Sequence, residues 1–112
     1  MSEPISYEDF EKVDMRVGEI VAVEDFPRAR NPSYKVHVYF GEELGYRWSA
    51  AQITRYSKEE LVGKQVVAVI NFPAKNIAGF LSECLILGAS QADGSISVLM
   101  PSRQAVVGGK IY

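Results

Sequence analysis

Ser57-Lys58-Glu59-Glu60-Leu61-Val62-Gly63-Lys64-Gln65-Val66-Val67-Ala68-Val69 is the stretch on which the fold turns. Ser57 and Glu60 have the spacing of a capping box, in which the hydroxyl accepts from an N–H of the first turn and the carboxylate reaches back. Tyr56 and Leu61 hold the hydrophobic-staple positions around it. Gly63 supplies a stop, because a helix commonly ends in a left-handed residue that favours glycine. A short helix is expected here. It feeds at once into an apolar run over residues 65–72, typical of a strand buried on both faces.

Toward the N-terminus, Tyr34, Val36, Val38 and Phe40 alternate with Lys35, His37 and Tyr39. That period of two predicts a half-buried strand over residues 34–40. Gly41-Glu42-Glu43-Leu44-Gly45 reads as a turn, and residues 46–53 as the partner strand. Residues 14–26 are rich in Val and Ile and predict a long, curved strand. Gly18 inside it suggests a bulge or a bend at a barrel corner. Ser6 and Asp9 repeat the helix-start chemistry, with Ile5 and Phe10 as staple, for a helix over residues 7–12. Toward the C-terminus, a strand is expected over residues 82–88. Ala92-Asp93-Gly94 then signals a hairpin turn before a last strand over residues 95–100.

The order is helix, three strands, short helix, then two or three strands. A helix between strands three and four of a small five-stranded barrel is the OB-fold pattern, an all-β Greek-key barrel with short helices. A sandwich wants more strands, and a ferredoxin-like fold wants two full crossover helices. With no linker, repeat or low-complexity tract, residues 1–112 form one expected domain.

The connection over residues 71–83 joins two apolar runs and holds Pro73, Lys75, Asn71, Asn76, Gly79, Ser82 and Glu83. It does not read as a tight hairpin, and is expected to be a binding loop on a rigid scaffold. No nucleophile–base pair and no cluster with metal-ligand spacing is visible, so no catalytic residue, metal or cofactor is expected. Glu83 reads as structural, orienting Lys75 or capping loop N–H groups. His37 reads as a surface residue and Cys84 as a small core hydrophobe. Trp48 fits either the core or a stacking platform.

No apolar run approaches the roughly 18 residues of a membrane span. Met1-Ser2-Glu3-Pro4 is polar and acidic, unlike a signal peptide. The single cysteine suits a reducing cytoplasm. The net charge of −2 hides an asymmetry. Eight acids stand against Lys12 and Arg16 in residues 1–25, while ten cations stand against six acids in residues 26–112. A basic patch is therefore compatible with an acidic chain.

Three stretches together resemble the tRNA-binding-domain family: Asp14-Met15-Arg16-Val17-Gly18-Glu19-Ile20, Gly63-Lys64-Gln65-Val66-Val67-Ala68-Val69, and Asn71-Phe72-Pro73-Ala74-Lys75 through Gly79 to Ser82-Glu83. This OB-fold module also occurs appended to methionyl- and phenylalanyl-tRNA synthetases. Asp25-Phe26-Pro27-Arg28-Ala29-Arg30-Asn31-Pro32-Ser33-Tyr34-Lys35, Ser49-Ala50-Ala51-Gln52-Ile53-Thr54 and Asn71-Phe72-Pro73 are similar to the CsaA-type secretion chaperones within it. The resemblance covers residues 6–112. It implies a cytoplasmic homodimer without enzyme activity, associated with protein export and binding unfolded or exported polypeptides. It also implies that the N-terminal segment and the C-terminal tail help form the dimer, and the tail's Ile111 and Tyr112 suit packing on a partner.

Two surfaces are expected on that footing. A polypeptide-binding site would use Phe26, Tyr34, Ile77 and Phe80 as apolar lining, with Ser49, Gln52, Asn71 and Asn76 bonding an extended backbone. Phe26 and Tyr34 also fit the core, Tyr34 better than the site. A tRNA-binding track would use Arg28, Arg30, Lys35, Arg55, Lys75 and Arg103 for phosphates, with Asn76 and Ser82 as polar contacts.

Overall fold

A computed structural model describes residues 2–112; Met1 lies outside them. Both capping boxes form. Ser6 Oγ accepts from Asp9 N ahead of α1 (Tyr7–Glu11), and Ser57 Oγ accepts from Glu60 N ahead of α2 (Lys58–Leu61). The helices differ in what they bury. Helix α1 has no buried residue, and its staple residue Ile5 stays exposed. Helix α2 drives Leu61, fully buried, into the barrel.

Strand β1 (Met15–Asp25) is central. Its far half pairs with β2 (Tyr34–Tyr39) and its near half with β4 (Gln65–Val69). Strand β3 (Tyr46–Ala51) flanks β2, and the two-residue β7 (Leu85–Ile86) flanks β4. The sheet order is β3-β2-β1-β4-β7, antiparallel throughout. This is the nearly closed five-stranded barrel of an OB-fold. Val36, Val38 and Phe40 from β2 and its end meet Ile20, Val66, Ala68 and Leu61 in one core.

Gly18 is not the bulge. The register slips between Ile20 and Ala22, just beyond it. Gly18 is needed for space: a Cβ there would sit 2.4 Å from Val38 Cγ1 and 2.7 Å from Phe40 Cε1. Two core side chains from β2 occupy the volume that its missing side chain leaves.

The barrel seam runs between β3 and residues 82–84, and side chains make most of its bonds. Glu83 N donates to Trp48 O at 2.7 Å, Trp48 N donates to Glu83 Oε1 at 2.9 Å, and Ala50 N donates to Ser82 Oγ at 3.1 Å. The expected strand over residues 82–88 is therefore broken. Part of it becomes seam, part becomes β7, and its end starts β8 (Gly88–Ser90), which pairs with β9 (Ile96–Val98).

The tail takes the edge of β1 that β2 leaves free. Gly108 N donates to Val17 O, Val17 N to Gly109 O, and Ile111 N to Met15 O. Gln65, buried in β4, clamps it further: its Nε2 donates to Ala105 O at 2.7 Å and its Oε1 accepts from Ala105 N at 2.8 Å.

Candidate functional site

Residues 71–83 form an ordered hairpin, contrary to the open loop expected from their composition. Strand β5 (Lys75–Ile77) pairs with β6 (Phe80–Ser82) across the two residues Ala78 and Gly79. Both adopt positive φ, 49° and 87°, the primed geometry that matches strand twist. The turn signal Ala-Gly is weaker than Asn-Gly. Asn76 compensates, because its Oδ1 accepts from Gly79 N at 2.9 Å.

The hairpin leans on β3 and makes one wall of a groove of about 550 Å³. Ala50, Phe72, Pro73, Ile77 and Leu85 give it apolar lining; Gln52, Lys75, Ser82 and Glu83 give it polar lining. Of the residues expected to bind polypeptide, the structure brings Gln52 and Ile77 to this groove. Phe80 is half-buried on the hairpin, edge-on to Phe26 at 5.3 Å. Phe26, Tyr34 and Ser49 are buried instead, 5%, 9% and 1% exposed. Tyr34 and Ser49 fall on the inward phase of β2 and β3, and the Tyr34 hydroxyl is used internally, donating to Tyr56 O. Asn71 is exposed but committed: its Oδ1 accepts from Asp14 N and its Nδ2 donates to Lys12 O, tying the chain after β4 to the start of β1.

The expected tRNA track divides. Lys75 and Ser82 line the hairpin groove, although the Ser82 hydroxyl already accepts from Ala50 N. Lys35 sits beside it on β2, its Nζ 5.1 Å from the centres of both the Phe26 and Phe80 rings. Arg30 lines a neighbouring groove with Phe26, Pro27, Pro32 and Thr54, and Arg28 is exposed on the same loop. Arg55 is paired with Asp93 at 3.2 Å. Arg103 lies apart, in the tail between Pro101 and Ala105, which line a different groove.

Glu83 is structural, but it caps Trp48 N in a strand and makes no bond to Lys75. Cys84 is buried, and burial pushes its thiol up to about 12 against the opposing pull of the Arg47 guanidinium. It stays protonated at neutral pH, the opposite of an activated nucleophile. Among the described residues no group of three or more His, Cys, Asp or Glu is placed to hold a metal.

Sequence reasoning missed the apolar lining supplied by Phe72 and Leu85, because residues far apart in the chain meet only once the seam closes. On the outer face of β2–β3 it offered Trp48 as a core residue or a stacking platform and missed the rings around it. Tyr39 faces Tyr46 and His37 faces Trp48 in register, forming a row of rings outside the barrel. The alternation named His37 and Tyr39 as outward, but their ring partners depend on the hairpin register.

A third feature flanks β1 and β4. Val17, Val67, Met100, Pro101, Val106 and Ile111 line an apolar groove of about 510 Å³. Of its lining, Val106 and Tyr112 are 78% and 93% exposed.

The chain's relatives bear on these surfaces. The family model described as "Putative tRNA binding domain" matches residues 15–110. A CsaA chaperone structure from Picrophilus torridus superposes with a TM-score of 0.92 at 50% identity, covering 97% of this chain and 100% of that one. A CsaA chaperone structure from Bacillus anthracis gives 0.91 at 43% identity, covering 98% and 100%. A methionine–tRNA ligase of Porphyromonas gingivalis is 38% identical over 112 residues, spanning 99% of this chain but 16% of the ligase.

Proposed function

This chain belongs to the tRNA-binding-domain family, and we propose that it is a non-catalytic, homodimeric chaperone of the CsaA type that holds unfolded polypeptides in the groove between β3 and the β5–β6 hairpin. One observation carries the reading. The groove pairs the apolar Phe72, Ile77 and Leu85 with the exposed amide of Gln52, a mixed surface suited to side chains of variable shape on an extended backbone. Burying one large client side chain there contributes about 1.5–3 kcal/mol. A single groove is therefore weak. Two grooves on a dimer would gain by avidity without new contacts.

The tail groove supports the dimer. Its lining is apolar except for Lys110, and the tail is held rigid by the Gln65 clamp, so a second copy meets a preformed surface. The residues involved would be Ile111 and Tyr112, joined by Val106 and Met100. We place the assembly in the cytoplasm, as the lone buried thiol suits reducing conditions.

The test is titration of a reduced, denatured protein against the chain across a salt series. Binding should vary little with salt, and Leu85→Ser should weaken it several-fold. A curve that collapses between low and moderate salt, or that ignores Leu85→Ser, would sink this reading.

A second reading, tRNA binding, is favoured by the family and by Lys75 and Lys35 at the same rim. Each phosphate contact contributes a salt slope of about −0.9. Lys75→Ala should therefore weaken tRNA binding and flatten the slope by about that amount. A gel shift unaltered by this variant at every salt concentration would speak against the track.

A further inference from the structure

Three grooves lie in series along the barrel seam and share their rims. The hairpin groove, about 550 Å³, meets a second of about 260 Å³ at Ala50, Gln52 and Leu85. That middle groove meets a third, of about 210 Å³, at Gln52, Ile53 and Ile96. Together they make one trough that follows β3 past its end. Ala51, Ile86, Leu87 and Gly88 complete the middle groove, which has no charged side chain in its lining. The third groove is polar and holds the Arg55–Asp93 ion pair.

The trough exists because the seam is only partly closed. Phe40 N donates to Gly45 O, and from there the odd-numbered residues of β3 bond to β2 while the even-numbered ones turn to the seam. Glu83 satisfies both N and O of Trp48, and Ser82 Oγ accepts from Ala50 N. There the closure stops. Among the described residues, Ala50 O and Gln52 N have no hydrogen-bond partner, and Gln52 is exposed. The facing strand does not supply one. Leu87 N donates to Val67 O, so the neighbouring Ile86 turns its own N–H and C=O away from β4 and toward the seam, where they too are unbonded. Residues 85–92 carry no charge and no proline, the usual guards of an exposed edge.

We propose that the trough takes an extended segment of unfolded polypeptide as an added strand on the free edge of β3, bonded at Ala50 O and Gln52 N. The inference rests on the chaperone reading and gives it a binding mode and a client class: segments with apolar side chains at alternate positions. Backbone acceptors and donors two residues apart on a strand edge match another extended peptide backbone. A phosphate chain would find no cation in the middle groove. Alternate side chains of an added strand fall on one face. One therefore fills the hairpin groove beside Ile77 and Leu85, and the next fills the middle groove beside Ile86 and Ile96. Main-chain bonds give affinity without reading sequence, which suits a protein that holds many clients.

The probe is a short peptide with leucine at alternate positions. It is also made in two backbone-methylated forms, one blocking the amides of the leucines and the other those of the residues between. Only one set of amides can face β3, so one form should bind about tenfold more weakly and the other like the parent. Amide hydrogen exchange at Gln52 of the wild-type chain should slow when the parent peptide is added. If both forms bind like the parent, or lose affinity equally, or Gln52 exchange is unchanged, the inference fails. Denatured protein that still binds and still responds to Leu85→Ser then leaves the chaperone reading standing. If neither peptide nor denatured protein binds, both fail. If an unstructured oligoadenylate slows Gln52 exchange and the peptide does not, or if dilution of the free chain speeds it, the edge belongs to nucleic acid or to a second copy and the inference is overturned.

Discussion

Two outer surfaces of one small barrel expose aromatic and aliphatic side chains, yet they are built for different company. The β1–β4 flank with its docked tail is apolar across Val17, Val67, Met100, Val106 and Ile111. The β2–β3 face and its hairpin intersperse rings with Lys35, Lys75, Gln52 and free hydroxyls. A surface that is apolar but for Lys110 gains mainly by removing water, which is why a second copy is the partner proposed for it. A surface with available donors and cations can recognise backbone, phosphate or base. Both depend on the same strand. Val17, buried beneath the docked tail, lines the tail groove, while Gly18 and Ile20 face the barrel core.

The sharpest way to break the contrast is to remove the shared frame. Gly18→Val forces atoms into the space held by Val38 and Phe40, and overpacking of this kind costs about 1–3 kcal/mol, occasionally more. Urea unfolding should show an earlier midpoint, with dimerisation and ligand binding lost in step. A wild-type midpoint would mean that the barrel yields there.

Next is the tail groove alone. Val106→Asp puts a charge where an exposed valine offers apolar contact. Light scattering should change from two copies to one, while the affinity of a single groove for a short peptide stays the same. Loss of both together would show that the surfaces are coupled. Deleting residues 110–112 is a blunter probe, because it also removes the Ile111 N donation to Met15 O.

The smallest expected effect concerns Cys84, which sits in the seam, buried at the base of the hairpin groove. Its thiol is raised from an ordinary value near 9 to about 12 by burial. The folded state prefers the protonated form, so this contribution is complete below about pH 9 and is lost as pH rises toward 12. Between pH 6 and 8 a thiol reagent should modify Cys84 only at the rate of chain opening. Rapid modification of the native chain would mean that the seam is open in solution.

Much of the fold was legible because its signals are local. The capping boxes at Ser6 and Ser57 need only four residues each, and the inward set Tyr34, Val36, Val38 and Phe40 follows from alternation. The hairpin over residues 75–82 was not legible. Its turn lacks a strong dipeptide signal and depends on an Asn76 side chain that bonds forward to Gly79. Phe26 and Tyr34 were read as suited to a site or to the core and Ser49 to a site alone, and neighbours remote in the chain bury all three.

What the residue order determined by itself is therefore the periodic part: where strands and caps begin, which side chains of β2 turn inward, and that the barrel carries a short helix before β4. Tertiary structure alone decided which side chains would share a surface. Glu83 and Ser82 satisfy N–H groups on β3 more than thirty positions away, and that closure brings Lys75 and Leu85 to Gln52. The reason is physical. Strand phase and helix caps arise from bonds and sterics within a few residues, whereas a recognition surface exists only when distant backbone groups find partners and close the barrel.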